Sequence, residues 1–122
     1  MDISTREDII RLVDTFYSRV MVDDLIGVFF TEVSPINLKE HMPIMYDFWE
    51  TMLLGGSSYS GNAMHKHYSM NGRKRMKPEH FERWLTTWEY TVNELFSGTK
   101  ADEAKTRAKH IANLMSHNMN SL

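Results

Sequence analysis

The chain has 122 residues, of which 42% are hydrophobic and 25% charged, and its formal net charge is −2. This length predicts a single domain spanning residues 1–122, and the composition is that of a folded globular protein. The charge gives no electrostatic attraction to nucleic acid or to an anionic membrane, and no apolar run is long enough to span a bilayer. The absence of cysteine excludes disulfides, zinc–thiolate sites, iron–sulfur clusters and thioether attachment of a prosthetic group.

The amino terminus, from Met1 to Glu7, is polar and acidic and lacks the regions that define a signal peptide. We therefore expect a cytoplasmic protein. The content of ten methionines, six phenylalanines, five tyrosines and three tryptophans is unusual. It favours either a plastic helical core or a core that encloses a flat apolar ligand.

The first predicted helix begins at a capping box formed by Ser4 and Glu7. The Asp23–Asp24 pair and Gly27 end it. Its apolar residues recur at spacings of three and four, as expected for one buried helix face. These residues are Ile9, Leu12, Val13, Phe16, Tyr17 and Val20.

A short apolar element over Leu25–Phe30 follows, and Ser34–Pro35 ends it. The second long helix is predicted from about Leu38 to Leu54, with Pro43 tolerated because it is assigned to the first turn. Its apolar face comprises His41, Met45, Phe48, Trp49, Met52 and Leu53.

Two further helices complete the prediction. Pro78–Glu79 opens the third, Gly98 lies past its end, and Thr99 with Asp102 caps the fourth. No stretch alternates with period two, so the predicted fold class is all-α, a compact sandwich of four long helices. The buried face of the third helix is Phe81, Trp84, Leu85, Trp88, Val92, Leu95 and Phe96, and that of the fourth is Ala104, Ala108, Ile111, Ala112 and Met115.

The segment from Phe48 to His67 closes an apolar helix, passes through a glycine- and serine-rich turn and continues into a short helix from about Ala63. An iron–porphyrin site needs an apolar wall, a break and one imidazole aimed at the metal. Other folds also place a histidine after a helix and a turn. By itself, His67 is therefore either an iron ligand or a solvent-facing histidine.

Three more side chains carry polar groups on apolar faces. Tyr17 needs a hydrogen-bond partner if it is buried, either a carbonyl or a bound ligand, and the donor-only indole N–H of Trp84 poses the same question. His41 is either a boundary residue at the start of its helix or a gate over a ligand pocket, on the side opposite His67. His80, among carboxylates, is predicted to lie on a solvated helix face.

Together these segments resemble a group III truncated haemoglobin over essentially the whole chain. Each motif is weak alone, but five occur in the expected order with compatible spacing. They are Phe16–Tyr17; Leu25–Phe30; His41–Trp49 with Leu53–Gly55; Tyr59–His67; and Pro78–Leu85.

The resemblance implies a 2-on-2 truncated globin fold around a non-covalent haem b. It makes His67 the proximal iron ligand, Tyr17 and Trp84 distal hydrogen-bond donors, and His41 a mobile gate. Its implied cofactor-contacting residues are His67, Phe30, Met45, Phe48, Met64 and Arg73.

One departure from the family's pattern is a longer loop between His67 and Pro78. Its basic residues, Arg73, Lys74, Arg75 and Lys77, are either simply solvated, or they pair with haem propionates or dock an acidic electron donor.

The resemblance further implies a protein that reversibly binds dioxygen and other diatomic ligands, such as nitric oxide and carbon monoxide. Two hydrogen bonds to a bound ligand favour retention, which suits nitric oxide dioxygenase-like or peroxidase-like chemistry, with an electron-donating reductase, better than oxygen transport. We expect a monomer. Two alternatives remain: a haem-based sensing module without turnover, and a haem-free helical interaction domain in which Tyr17 and His67 are packing residues.

Overall fold

The computed structural model of the chain describes residues 1–33, 37–56 and 77–120, with backbone only for residues 32, 33 and 118–120. These ranges contain α1 (Arg6–Val20), a π-helical turn (Phe29–Val33), α2 (Leu38–Leu54), α3 (Pro78–Leu95) and α4 (Thr99–Asn120). They contain no strand, which confirms the predicted all-α class. The predicted short helix after Ala63 lies outside the described residues.

The amino-terminal cap of α1 is Thr5 and not Ser4. Its hydroxyl accepts the Asp8 N–H at 3.2 Å, while an Asp8 carboxylate oxygen accepts the Thr5 N–H at 3.2 Å. The same oxygen accepts the Ser4 N–H at 2.9 Å, so it satisfies two otherwise unpaired amides. The predicted capping box of Ser4 and Glu7 is therefore wrong by one residue. Ser4 with Glu7 and Thr5 with Asp8 both match the motif, but the Asp8 carboxylate is the one that binds the amides of Ser4 and Thr5.

The chain turns after α1 through Asp23. Its side chain accepts the Leu25 and Ile26 N–H groups at 2.8 and 3.1 Å, which forms the break predicted there. A Cβ atom on Gly27 would lie 2.9 Å from the Met21 carbonyl oxygen, so glycine permits this close approach to the end of α1.

Helix α2 has the predicted bounds, and its Asn37 cap accepts the Lys39 N–H at 3.1 Å. Pro43 lies inside the helix, beyond the first turn, so that part of the prediction is wrong. It has no N–H to donate to the carbonyl of Lys39. Both residues are exposed, so water can hydrate that carbonyl.

The prediction that His80 lies on a solvated helix face is wrong. The residue is half-buried at the start of α3. Its Nδ1 accepts the Lys77 N–H at 2.8 Å, and its ring centroid lies 4.9 Å from that of Phe29. The imidazole caps α3 because it is three residues after Lys77, the position from which a side chain reaches back to the preceding amide.

The cap of α4 comes from the amino terminus of the chain. The two carboxylate oxygens of Asp2 accept the N–H groups of Lys100 and Ala101, each at 2.9 Å. The hydrogen bond from the Lys100 amide is the main reason that the pKa of Asp2 is lowered. The predicted capping by Thr99 and Asp102 is wrong, because Thr99 is already helical and a distant carboxylate binds the free amides.

Trp88 is fully buried and joins all four helices. On α3, it stacks on Trp49 of α2 with centroids 4.4 Å apart and meets Phe16 of α1 edge-on at 5.0 Å. Its indole N–H donates to the Ala104 carbonyl of α4 at 3.1 Å. Helix α1 packs on α2 and α3, and α3 packs most extensively on α4. The placement of Trp49 and Trp88 in the core is confirmed.

The predicted apolar faces point inward. All six residues predicted for α1 are buried. On the other predicted faces, the half-buried residues are Phe48, Met52, Leu85, Leu95 and Ile111. No helix in the described ranges combines the length and apolar character needed to cross a bilayer.

Candidate functional site

Tyr17 provides a buried hydroxyl at the junction of α1 and α2. The residue is 5% exposed, and its ring meets those of Phe16 and Phe30 edge-on, with centroids 5.4 and 6.1 Å away. Burial raises the pKa of this hydroxyl, because ionisation would place an uncompensated charge among aromatic rings. Tyr17 therefore remains a protonated phenol with one donor and two acceptor positions.

The partner of Tyr17 is His41, from the first turn of α2. Its Nε2 lies 2.9 Å from the Tyr17 hydroxyl oxygen, and the two ring centroids are 5.2 Å apart. In one tautomer Nε2–H donates to the phenol oxygen and leaves the O–H free for a third group, and in the other the O–H donates to Nε2. The sequence prediction allowed a carbonyl or a ligand as the partner of Tyr17, and did not foresee this imidazole.

Trp84 approaches the same region from α3. It is 8% exposed, and its ring meets Phe16 edge-on with centroids 5.8 Å apart. Tyr17 and Trp84, the two predicted donors, thus both contact the ring of Phe16. Within the described part of the chain, the Trp84 indole N–H has no hydrogen-bond acceptor. Its nitrogen is not fully buried.

Apolar side chains extend this cluster. Phe30 is 2% exposed and contacts Tyr17, and Met45 is 7% exposed, one turn after His41 on α2. Phe48 is half-buried and stacks on Trp49 with centroids 5.3 Å apart, so it joins the cluster through the core and not through Tyr17. The structure thus groups Tyr17, His41, Trp84, Phe30 and Met45, with Phe48 at one edge.

Three predicted site residues, Met64, His67 and Arg73, lie outside the described residues. Their assigned roles remain predictions. In the ranges that the structure covers, no three histidine, aspartate or glutamate side chains are grouped as a metal site.

Sequence reasoning missed a set of polar contacts between α1 and α2. The Tyr46 hydroxyl donates to the Asp14 carboxylate. The Arg6 guanidinium binds Asp47 at 3.0 Å and Glu50 at 2.6 Å. The sequence shows only that these polar residues belong to amphipathic helices, and this does not reveal which residues pair with one another.

A separate groove of about 210 Å³ lies between the start of α3 and the end of α4. None of the predicted site residues lines it. Its walls are Pro78, Phe81, Glu82, Leu85, Ala112, Asn113 and Ser116.

The grouped residues fit a flat apolar cofactor that carries a small polar ligand. Such a site needs mostly apolar walls with a few placed polar groups, and here aromatic and methionine side chains surround one phenol, one imidazole and one indole N–H. The phenol has hydrogen-bonding capacity beyond its contact with His41.

Comparison with known proteins agrees with this fit. The family model of bacterial-like globins matches residues 2–120. The group 3 truncated haemoglobin of Campylobacter jejuni is 32% identical over 120 residues, covering 96% of this chain and 90% of the relative. The crystal structure of the group III truncated haemoglobin from Campylobacter jejuni superposes with a TM-score of 0.78 at 29% identity, over 98% of this chain and 95% of that one. The chain therefore belongs to the bacterial-like globins, as a haem-binding globin of the group III truncated haemoglobin type.

Proposed function

We propose that this globin retains dioxygen and related diatomic ligands and supports redox chemistry with nitric oxide or peroxide, rather than bulk oxygen transport. The observation that carries the proposal is the buried Tyr17 hydroxyl, which is hydrogen-bonded to His41, with Trp84 packed against the same Phe16 ring. A pocket with two hydrogen-bond donors favours slow ligand release.

The cofactor of this proposal is haem b, held without covalent bonds because the chain has no cysteine. Haem iron supplies the coordination position for a diatomic ligand and one-electron chemistry. Phe30, Met45 and Phe48 would contact its apolar surface from the distal side. His67 is proposed as the proximal ligand, and Met64 and Arg73 as further contacts.

Tyr17 and Trp84 are proposed to hold the ligand. Tyr17 is a donor throughout the physiological range because burial keeps its hydroxyl protonated, and the Trp84 N–H can only donate. Each hydrogen bond to a ligand with partial negative charge contributes about 1–3 kcal/mol. Together they would slow release by roughly 25- to 2 × 10⁴-fold, at about 1.4 kcal/mol per decade.

His41 is proposed as the gate. It reaches Tyr17 from the first turn of α2, so displacement of this turn would open a path between the two helices. Its hydrogen bond to Tyr17 would close that path.

Sustained turnover needs an electron donor, and we propose a reductase that docks through the basic segment of residues 73–77. Of these residues, the structure describes Lys77, which is exposed beside the start of α3. Reversing the charges of Arg73 and Lys74 should slow reduction or weaken haem binding. If both stay unchanged, the segment is only solvated.

The first experiment is the visible spectrum of the purified protein in the ferric, ferrous and carbon monoxide states, with His67→Ala as control. A histidine-ligated haem spectrum that this substitution alters supports His67 as the proximal ligand. The same spectrum in both proteins would remove that assignment. Oxygen dissociation from Tyr17→Phe then tests the pocket, because a rate within about twofold of the wild type would contradict donation by Tyr17.

Turnover is tested by adding nitric oxide to the reduced protein in the presence of dioxygen, or hydrogen peroxide to the ferric protein. Consumption of either beyond one equivalent, with a reductant present, supports redox chemistry. Binding without consumption would instead favour a haem-based sensing module.

A further inference from the structure

We propose that Tyr46 is a positioning residue for the Tyr17–His41 pair. Its hydrogen bond to Asp14 fixes α2 on α1 in the register at which His41 Nε2 meets the Tyr17 hydroxyl. This inference rests on the proposed roles of Tyr17 and His41 at the ligand.

The polar contacts between α1 and α2 follow one antiparallel order. Along α1 they come at Arg6, Asp14 and Tyr17, and their partners are met in reverse order along α2. The Asp14–Tyr46 contact is the neighbour of the Tyr17–His41 pair. Asp14 precedes Tyr17 by three residues, about 4.5 Å along the helix axis, whereas Arg6 precedes it by eleven, about 16 Å.

Pro43 makes the side-chain contacts more important at this end of α2. It lies between His41 and Tyr46 and removes the backbone hydrogen bond that would reach the Lys39 carbonyl. The turn that carries His41 therefore has one backbone hydrogen bond fewer to the rest of α2. Its position then depends on the contacts that hold each side of Pro43 to α1.

The chemistry of Tyr46 suits a fixed cross-link. Its hydroxyl donates to the Asp14 carboxylate, and a hydrogen bond to a charged acceptor is stronger than one between neutral groups. Burial and this hydrogen bond raise the pKa of Tyr46 to about 12, so the phenol remains a donor in neutral solution. The Arg6 guanidinium lies 6.0 Å from the centre of the Tyr46 ring, but its hydrogen bonds go to Asp47 and Glu50 and not to the Tyr46 hydroxyl.

Four variants of the haem-loaded protein separate positioning from general loosening. Tyr46→Phe keeps the ring and removes the donor, and Asp14→Ala removes the acceptor. Asp14→Asn keeps an oxygen that accepts the phenol O–H. Arg6→Met removes a different polar contact between the same helices, farther from the pair.

Two measurements report the distal pocket. The infrared C–O stretching band of the carbon monoxide complex responds to hydrogen bonds at the ligand, and the oxygen dissociation rate reports their strength. We expect Tyr46→Phe and Asp14→Ala to shift or split the band, because the Tyr17 hydroxyl loses its fixed direction. The dissociation rate should change in the same direction as in His41→Leu, and by less than about tenfold. Asp14→Asn and Arg6→Met should keep the wild-type band and rate.

A wild-type band and rate in Tyr46→Phe would overturn the inference. An equal change in Arg6→Met would also overturn it, because any loosening of the helix pair would then suffice. Tyr17→Phe, measured in parallel, distinguishes failure of the positioning role of Tyr46 from failure of the proposed role of Tyr17. If it changes the band and Tyr46→Phe does not, only the positioning role fails; if neither changes the band, the proposed role of Tyr17 fails as well.

Discussion

Replacing Tyr17 and replacing His41 should have unlike effects on oxygen release. Tyr17→Phe removes the hydroxyl that we assign as a ligand donor, and keeps the ring packed on Phe16 and Phe30. One hydrogen bond of about 1–3 kcal/mol corresponds to dissociation that is roughly 5- to 150-fold faster. His41→Leu removes only the partner that lies 2.9 Å from that hydroxyl.

The effect of His41→Leu depends on which group donates. If Nε2–H donates to the Tyr17 oxygen, the O–H already points elsewhere, and the dissociation rate should stay within about threefold of the wild type. If the O–H donates to Nε2, losing the imidazole frees it for the ligand, and dissociation should slow by up to about tenfold. In neither tautomer does His41→Leu remove a hydrogen bond to the ligand, so it should not accelerate release in this way.

The assay is stopped-flow replacement of dioxygen by carbon monoxide in the ferrous protein. Matched controls are Tyr90→Phe on the exposed side of α3 and His110→Leu on the exposed side of α4, neither of which should change the rate. If His41→Leu speeds dissociation as much as Tyr17→Phe and leaves the association rate unchanged, then the imidazole is itself the donor to the ligand and the reasoning from the hydrogen bond is refuted. Equal acceleration of association and dissociation would instead support the role of His41 as the gate.

Three further predictions concern stability. Asp2→Ala removes the cap of α4 and should lower the urea midpoint at neutral pH. Because the pKa of Asp2 is lower in the folded state than in the unfolded chain, the stabilising effect of this carboxylate is lost as the pH falls through its folded-state pKa, and an undiminished difference from the wild type at pH 3 would contradict the prediction. Gly98→Ala should lower the free energy of unfolding by about 1–3 kcal/mol, since φ is +135° there and a Cβ would lie 2.6 Å from the Asp2 side chain; unchanged urea unfolding would refute the clash. Pro43→Ala should raise that free energy by about 1–2 kcal/mol by giving the Lys39 carbonyl its amide partner, and hydrogen exchange should show protection of the new amide at position 43.

The sequence predicted the faces of the helices better than their ends. Six positions of α1 at helical spacing are the six that are buried, and α2 has the predicted bounds. Burial of an apolar face is a periodic property of one segment, so the segment itself reveals it. The caps at Ser4 and Thr99 were wrong because a cap is decided by which nearby oxygen reaches an amide, and in α4 that oxygen belongs to Asp2.

The candidate site divides in the same way. Tyr17, His41 and Trp84 stood out because each places a polar group on an apolar face, and family resemblance supplied their roles. Tyr17 and His41 are 24 positions apart in the sequence, and their hydrogen bond required the antiparallel packing of α1 and α2. The Tyr46–Asp14 contact was not foreseen, since either residue alone is an ordinary amphipathic-helix position.

By itself, the sequence determined that this chain is all-α, which faces of its helices are buried, and that its motifs are those of a group III truncated haemoglobin. The tertiary structure alone decided the pairs: the imidazole on the phenol, the indole of Trp88 on the Ala104 carbonyl, and the amino-terminal carboxylate on the last helix. The physical reason is that periodicity is local in the chain, whereas a hydrogen bond depends on the separation and direction of two groups, which only the packing of the helices sets.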